Sequence, residues 1–228
     1  MDIFDYEKIK PWIPYLAKGI GITLLIAFVA AIVGFILGVV LVLMNKRKFF
    51  RGFARGYIDI FRGTPMLLQL SIIYFAIPQL LDRIFNDGFG MNVDFAITAL
   101  MAAFITFGLN SAAYVSEIIR SGINSVDPGE IEAAKALGIS KYHMYKDIVL
   151  PKAFKNSFPA LVNEFVTLIK ETSIVSVIGI QDLFRRQQIV TAQTYLYFEA
   201  LIIIGVFYYV LIKVFSLIAR RLEVIYAK

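Results

Sequence analysis

From Ile20 to Met44 the chain reads IGITLLIAFVAAIVGFILGVVLVLM, and Thr23 is its one conventionally polar side chain. At ~1.5 Å of rise per residue, a helix over this run crosses a hydrocarbon core of ~30 Å with some tilt. No water is available there to satisfy backbone N–H and C=O groups, so an apolar run of this kind is read as a helix. Asn45-Lys46-Arg47-Lys48 stops the run, and Arg51 and Arg55 follow. Such dense positive charge beside a span belongs on the cytoplasmic side.

The rest of the 228 residues follows the same pattern, with 59% hydrophobic and 18% charged residues and a mean hydropathy of +0.73. These values exclude an ordinary soluble domain. The net charge of +6 sits beside apolar runs, so it orients the chain in a membrane and does not point to nucleic acid. The absence of cysteine rules out disulfides and thiolate metal sites. Asp2, Asp5 and Glu7 are wrong for the basic start of a signal peptide, and Pro11, Trp12, Pro14 and Tyr15 read as an interfacial approach to the first span.

Apolar segments place five spans at about 20–44, 63–81, 95–119, 157–180 and 195–219, within a single all-α transmembrane domain covering residues 1–228. Phe49 to Phe61 is amphipathic and basic, as in a helix lying at the interface. Pro65 and Pro78 fall near the ends of the second span. Residues 82–94 form a polar loop with a turn signal at Asn86-Asp87-Gly88, and 181–194 form another. Segments on one side of this arrangement carry fourteen Lys/Arg, against six on the other. The expected orientation is N-terminus outside and C-terminus in the cytoplasm. No internal repeat is visible.

The polar stretch 120–156 has a helix–loop design of its own. Asp127 is an N-cap candidate, Pro128 suits the first helical position, and a run of good helix formers follows, until Gly138 ends it as a C-cap does. Ala133, Ala134 and Leu137 make a small apolar strip suited to a groove on a soluble partner. A second helix is expected from about Lys141 to Val149, halted by Pro151. On physical grounds alone, a hairpin packed on its own spans is an equal alternative.

Glu132-Ala133-Ala134, three residues, Gly138, nine residues and Ile148-Val149-Leu150-Pro151 match E-A-A-x3-G-x9-I-x-L-P at every fixed position. This stretch resembles the cytoplasmic loop of permease subunits of bacterial ATP-binding-cassette (ABC) importers. Arg62-Gly63-Thr64-Pro65 with Leu67-Leu68-Gln69-Leu70, Asn110-Ser111-Ala112-Ala113-Tyr114, and Asn163-Glu164-Phe165 narrow the resemblance to the histidine/glutamine-type permeases of polar amino-acid importers. The resemblance implies a type I importer permease in the bacterial inner membrane, with five spans per subunit. Its implied partners are a second permease subunit, identical or closely related, a pair of ATPase subunits and an extracytoplasmic amino-acid-binding protein. Glu132, Ala133, Ala134, Leu137 and Gly138 become the residues expected to couple to the ATPase. The chain has no G-x4-G-K-[ST] loop, so it is not expected to be an enzyme, and ATP with its magnesium is expected on the separate ATPase subunit.

Ionisable side chains inside a span are costly and tend to face protein or a water-filled cavity. Glu164 is the leading case, with Asn163 beside it and Thr167 one turn on. A buried carboxylate there suits an ammonium or guanidinium group, which leans the expected substrate toward arginine, lysine or histidine. A structural interhelical bond is an even alternative for Glu164. Asn110 and Tyr114 are expected to line the same pathway, and Gln69 is its polar candidate from the second span. Glu117 and Arg120 read as gate or anchor residues. Gly34 and Gly38 form a close-packing G-x3-G whose partner helix is open. No metal cluster or nucleophile constellation points to catalysis. The rival class is an ATP-independent amino-acid channel or secondary transporter, which leaves the E-A-A loop without a role.

Overall fold

An apolar run becomes a helix here because each residue from Gly19 to Lys46 satisfies its backbone internally, and this 28-residue element is α1. In the computed structural model, which describes residues 4–227 and the side chains of 4–222, every regular element among the described residues is helical. Short helical turns from Tyr6 to Ala17 lead into α1. The amphipathic α2 (Arg51–Gly63) follows, then α3 (Met66–Gly88), α4 (Ala99–Asn124), α5 (Pro128–Ala136), α6 (Leu150–Glu171), α7 (Leu183–Thr194) and α8 (Tyr197–Ala227).

Four of these segments are long and apolar enough to cross a membrane: Tyr6–Lys46, α3, α4 and α8. Five were expected, and α6 is the one that does not qualify. Lys152, Lys155, Glu164, Lys170 and Glu171 lower its hydropathy, while its length of 22 residues is ample.

Several boundaries differ from expectation. The second span does not end near Leu81, because the backbone widens at Ile72–Ala76, where the Ile77 N–H reaches back to Ile72 O. That wide turn relieves the clash of Pro78 with the preceding turn, and the helix resumes through a second wide turn at Arg83–Gly88. The chain then doubles back. The Asn86 amide donates to Val93 O and accepts from Val93 N, both at 2.8 Å, and Asp82 accepts from Phe95 N at 2.8 Å. Residues 181–194, expected as a loop, are largely helical, because Asp182 caps α7 by accepting from Arg185 N. Pro151 does not halt a helix either. Lys141–His143 continues through a wide turn at Met144–Val149 straight into α6, and that wide turn, directly before Pro151, accommodates the proline's missing N–H.

Helix α4 is the axis of the fold, packed along α1 and α6, with α2 and α3 on its flank. Small residues set these contacts. A Cβ on Gly34 would lie 2.6 Å from Ser111 Oγ, and one on Gly38 would lie 2.8 Å from Val115 Cγ1. One on Gly108 would lie 2.7 Å from Val33 Cγ1. The G-x3-G of the first span therefore meets α4, and α4 answers with a glycine of its own. In lipid, where apolar contact carries no hydrophobic premium, such backbone approach is how helices gain packing energy. Ile26, Ala30, Phe107, Leu168 and Ile169 fill the buried centre between these helices.

Candidate functional site

The seam between α4 and α6 carries the intramembrane carboxylate. Glu164 is half-buried on α6, and its Oε1 accepts a hydrogen bond from Ser111 Oγ at 3.1 Å. Ser111 is fully buried on the α4 face that Gly34 covers. The absent side chain on α1 thus lets the serine sit where it can hold Glu164. Asn163 is exposed beside it, and Thr167 Oγ1 donates to Asn163 O at 3.0 Å. That bond occupies the Thr167 proton within the helix and leaves the Asn163 side chain on the open face.

Asn110 and Gln69 form a separate group. Asn110 is 4% exposed, and its Nδ2 donates to Gln69 Oε1 at 3.0 Å and to Phe61 O at 3.1 Å. Gln69 Nε2 donates to Phe61 O, Thr64 O and Thr64 Oγ1 at 2.9, 3.1 and 2.8 Å. The two amides clasp the Arg62-Gly63-Thr64-Pro65 turn, where α2 gives way to α3 and Pro65 leaves carbonyls without helical partners. Both are buried and spend their amide donors on this turn and on each other, and no hydrogen bond joins them to Glu164 among the described residues.

Tyr114 lies one turn further along α4 and is partly exposed. The Arg62 guanidinium sits 5.4 Å from its ring centre, within cation–π range. Arg62 also pairs with Glu117 at 3.4 Å, and Glu117 pairs with Arg120 at 2.5 Å. Tyr114, Arg62, Glu117 and Arg120 line an open cleft of about 620 Å³ that continues to Asn156 and Ser157 on α6. Glu117, expected as a gate or anchor residue, is thus one carboxylate held by two arginines from different elements.

The loop below is built as its capping residues require. Asp127 accepts from Gly129 N at 2.8 Å to start α5. Gly138 ends it at φ +72°, with Gly138 N bonded to Lys135 O and Ile139 N to Ala134 O, both at 3.0 Å. This 5→2 and 6→1 pair is a Schellman motif. Glu132, Ala133 and Gly138 are exposed, and Leu137 is 79% exposed. The expected strip needs one correction. Ala134 is buried, at 2% exposed, and only Ala133 and Leu137 of the strip face outward; the α5 side chain that packs against the loop's small core of Val126, Val149 and Ala153 is Ile131. An ion pair between Glu130 and Lys152 ties α5 to the start of α6.

Sequence reasoning missed Asp182. Fully buried in the turn before α7, it accepts from Arg185 N at 2.8 Å and faces Tyr208 Oη at 3.4 Å. Burial pushes its carboxyl up to about 6, against the pull of the Arg185 and Phe184 N–H groups. An acidic residue directly before Leu183-Phe184-Arg185 was the signal that could have found it.

Apolar helices long enough to cross a membrane, with a polar seam and an exposed, doubly capped loop helix, fit a membrane permease, and its likenesses to known proteins place it in the ABC-importer class. The chain belongs to the binding-protein-dependent transport system inner membrane components, whose family pattern matches residues 30–224. It is 49% identical over 221 residues to the arginine transport system permease protein ArtQ of Bacillus subtilis (strain 168), covering 96% of this chain and 95% of that one. It is 48% identical over 224 residues to a Rickettsia bellii (strain RML369-C) protein provisionally named glutamine transport system permease protein GlnP, covering 97% of each. Its fold superposes with a TM-score of 0.86 and 38% identity on a chain from the crystal structure of an amino acid ABC transporter with histidines, covering 98% of this chain and 99% of that one. A chain of the MetNI methionine ABC transporter, at 18% identity and a TM-score of 0.76 over 96% of this chain and 99% of that one, shares the fold alone. The protein is thus an inner-membrane permease of an amino-acid ABC importer, and its ATPase is a separate subunit. Membership implies an ATPase and a binding protein as partners.

Proposed function

We propose that residues 1–228 form one of two permease subunits of a type I importer for polar amino acids, with a preference for cationic ones. The chain crosses the membrane five times, with α6 as the crossing that composition alone does not mark. Its N-terminus lies outside and its C-terminus in the cytoplasm. Lys152 and Lys155 sit at the cytoplasmic entry of α6, so the lowered hydropathy comes partly from charges that need not enter the hydrocarbon. The exposed Asn163 and half-buried Glu164 remain on α6, and facing a second permease copy or a water-filled path relieves their cost.

The observation that carries the substrate reading is the Glu164 carboxylate. It is held by one hydroxyl and has no cationic partner among the described residues. A cationic or ammonium-bearing ligand supplies that partner, and attraction there is stronger than in water. Asn163, Thr167 and Tyr114 flank the path, and Asn110 and Gln69 brace its wall. The name of the relative that transports arginine supports the basic preference. Glu132, Ala133, Ala134, Leu137 and Gly138 form the loop that engages the ATPase, on which ATP and magnesium bind. Ala134 acts there from within, by shaping the loop.

The test is Glu164→Gln, which keeps the shape and removes the charge. In proteoliposomes containing the complete transporter, arginine uptake is expected to fall about tenfold or more relative to glutamine uptake, since a charge-assisted contact contributes more than about 1.5 kcal/mol. An unchanged arginine-to-glutamine ratio removes Glu164 from substrate selection.

A further inference from the structure

We propose that the α1–α2 turn and the flank of α2 bind an anionic phospholipid, its phosphate against the basic side chains and its acyl chains beside the aromatic ones. Helix α2 presents three faces. Ala54 is buried, and Tyr57 and Ile58 pack with Leu41 and Ala112. The Tyr57 hydroxyl donates to Leu109 O at 2.7 Å, fixing this face against α4. With ~3.6 residues per turn, Arg51, Arg55 and Arg62 fall within an arc of about 40° on one side of that buried face. Phe53, Gly56 and Ile60 fall on the other side, roughly opposite the arginines. Phe53 and Ile60 are 65% and 62% exposed, and Phe49, in the preceding turn, is 89% exposed. A helix attached sideways to the bundle, with an apolar flank and a basic flank facing apart, lies along a membrane surface.

The charge on this segment is unusually free. Five basic residues occur between Lys46 and Arg55, and the single acid from 45 to 61 is Asp59. Arg51 donates to Asn45 O, and Lys46 lies 4.8 Å from the Tyr145 ring centre. Arg47, Lys48 and Arg55 take part in no ion pair among the described residues. Arg55 also borders a cleft of about 520 Å³ with Asn45, Asp59, Arg62, Glu117 and Arg120. Three arginines, Arg55, Arg62 and Arg120, face the two carboxylates of Asp59 and Glu117 there, so the cleft keeps a net positive charge. Its volume accommodates a glycerophosphate headgroup.

A soluble anion accounts for the arginines but not for Phe49, Phe53 and Ile60. A zwitterionic lipid accounts for the aromatics but gains nothing from the unpaired charge. An anionic phospholipid satisfies both, at about fivefold in affinity for each basic residue engaged.

The experiment is native mass spectrometry of the complete transporter, released from bilayers of equal phosphatidylglycerol and phosphatidylcholine. The wild type is expected to retain phosphatidylglycerol in preference. The Lys48→Gln/Arg55→Gln variant keeps Lys46, Arg47 and Arg51 to orient the first span, and should lose that preference by about tenfold or more. Lys48→Arg/Arg55→Lys is expected to restore it. External labelling of a cysteine at Asn86 verifies that the variants insert in the same orientation. An equal preference in wild type and the Gln variant overturns the proposal, as does displacement of the lipid by millimolar inorganic phosphate. Loss of the ATPase subunit from the Gln variant, with lipid preference intact, assigns the patch to a protein partner and also overturns it.

Discussion

Gly34 shows how single residues set this site. Its missing side chain admits Ser111, whose hydroxyl is 2.6 Å from where a Cβ would stand, and Ser111 in turn holds Glu164. Gly21 lies on the same helix with nothing within 4 Å of its Cβ position. Gly21→Ala is therefore expected to leave thermal stability in detergent unchanged or raise it slightly, by about 0.4–1 kcal/mol. Gly34→Ala must displace Ser111 or part α1 from α4, at a cost of about 1–3 kcal/mol by the usual penalty for overpacking. It should also weaken uptake through the lost serine contact. Equal melting temperatures for the two variants contradict the packing described. The G-x3-G pattern was legible in the sequence, as was the oddity of Glu164 inside a span. That the two meet through Ser111 was not, because a helical pattern places residues on faces but does not say which faces touch.

Among the elements, α5 was the most legible, since its start and stop rest on local chemistry: Asp127 and Pro128 at one end, Gly138 at the other. Boundaries that rested on proline were less secure. Pro78 and Pro151 read as ends, yet wide turns at Ile72–Ala76 and Met144–Val149 carry the helix past both. Such turns have no residue signature of their own. Helix α7 was hidden by the polarity of 181–194, which suits a loop as well as an exposed helix. The loop proposed to engage the ATPase yields a prediction at this scale. Gly138 occupies φ +72°, and a bulky side chain there costs roughly 1–2 kcal/mol of local strain while projecting from an exposed surface. Gly138→Leu, like Glu132→Leu, should abolish ATP-driven uptake while membrane insertion, measured by the yield of folded protein, stays near wild type. Normal uptake by both variants rules out this loop as the coupling element.

At the scale of the whole molecule, the physical problem is a bundle whose α6 is too polar to face lipid alone and whose loop helix is too exposed to be idle. In the proposed function a second permease subunit covers the first, and the ATPase covers the second. In the proposed orientation, which rests on charge bias, α5 and the Arg62–Glu117–Arg120 cluster lie together on the cytoplasmic side. The chain's membrane class and family were legible from the apolar runs and the E-A-A spacing. The number of crossings was harder, because α6 reads as a span by position and as a soluble helix by composition. The most direct measurement reconstitutes this chain with its ATPase and binding protein in sealed liposomes and follows radiolabelled arginine. Uptake against a gradient that requires both ATP and the binding protein is the predicted result. Uptake that proceeds equally without ATP, and only down the gradient, contradicts the account and makes the chain a channel or an ATP-independent carrier.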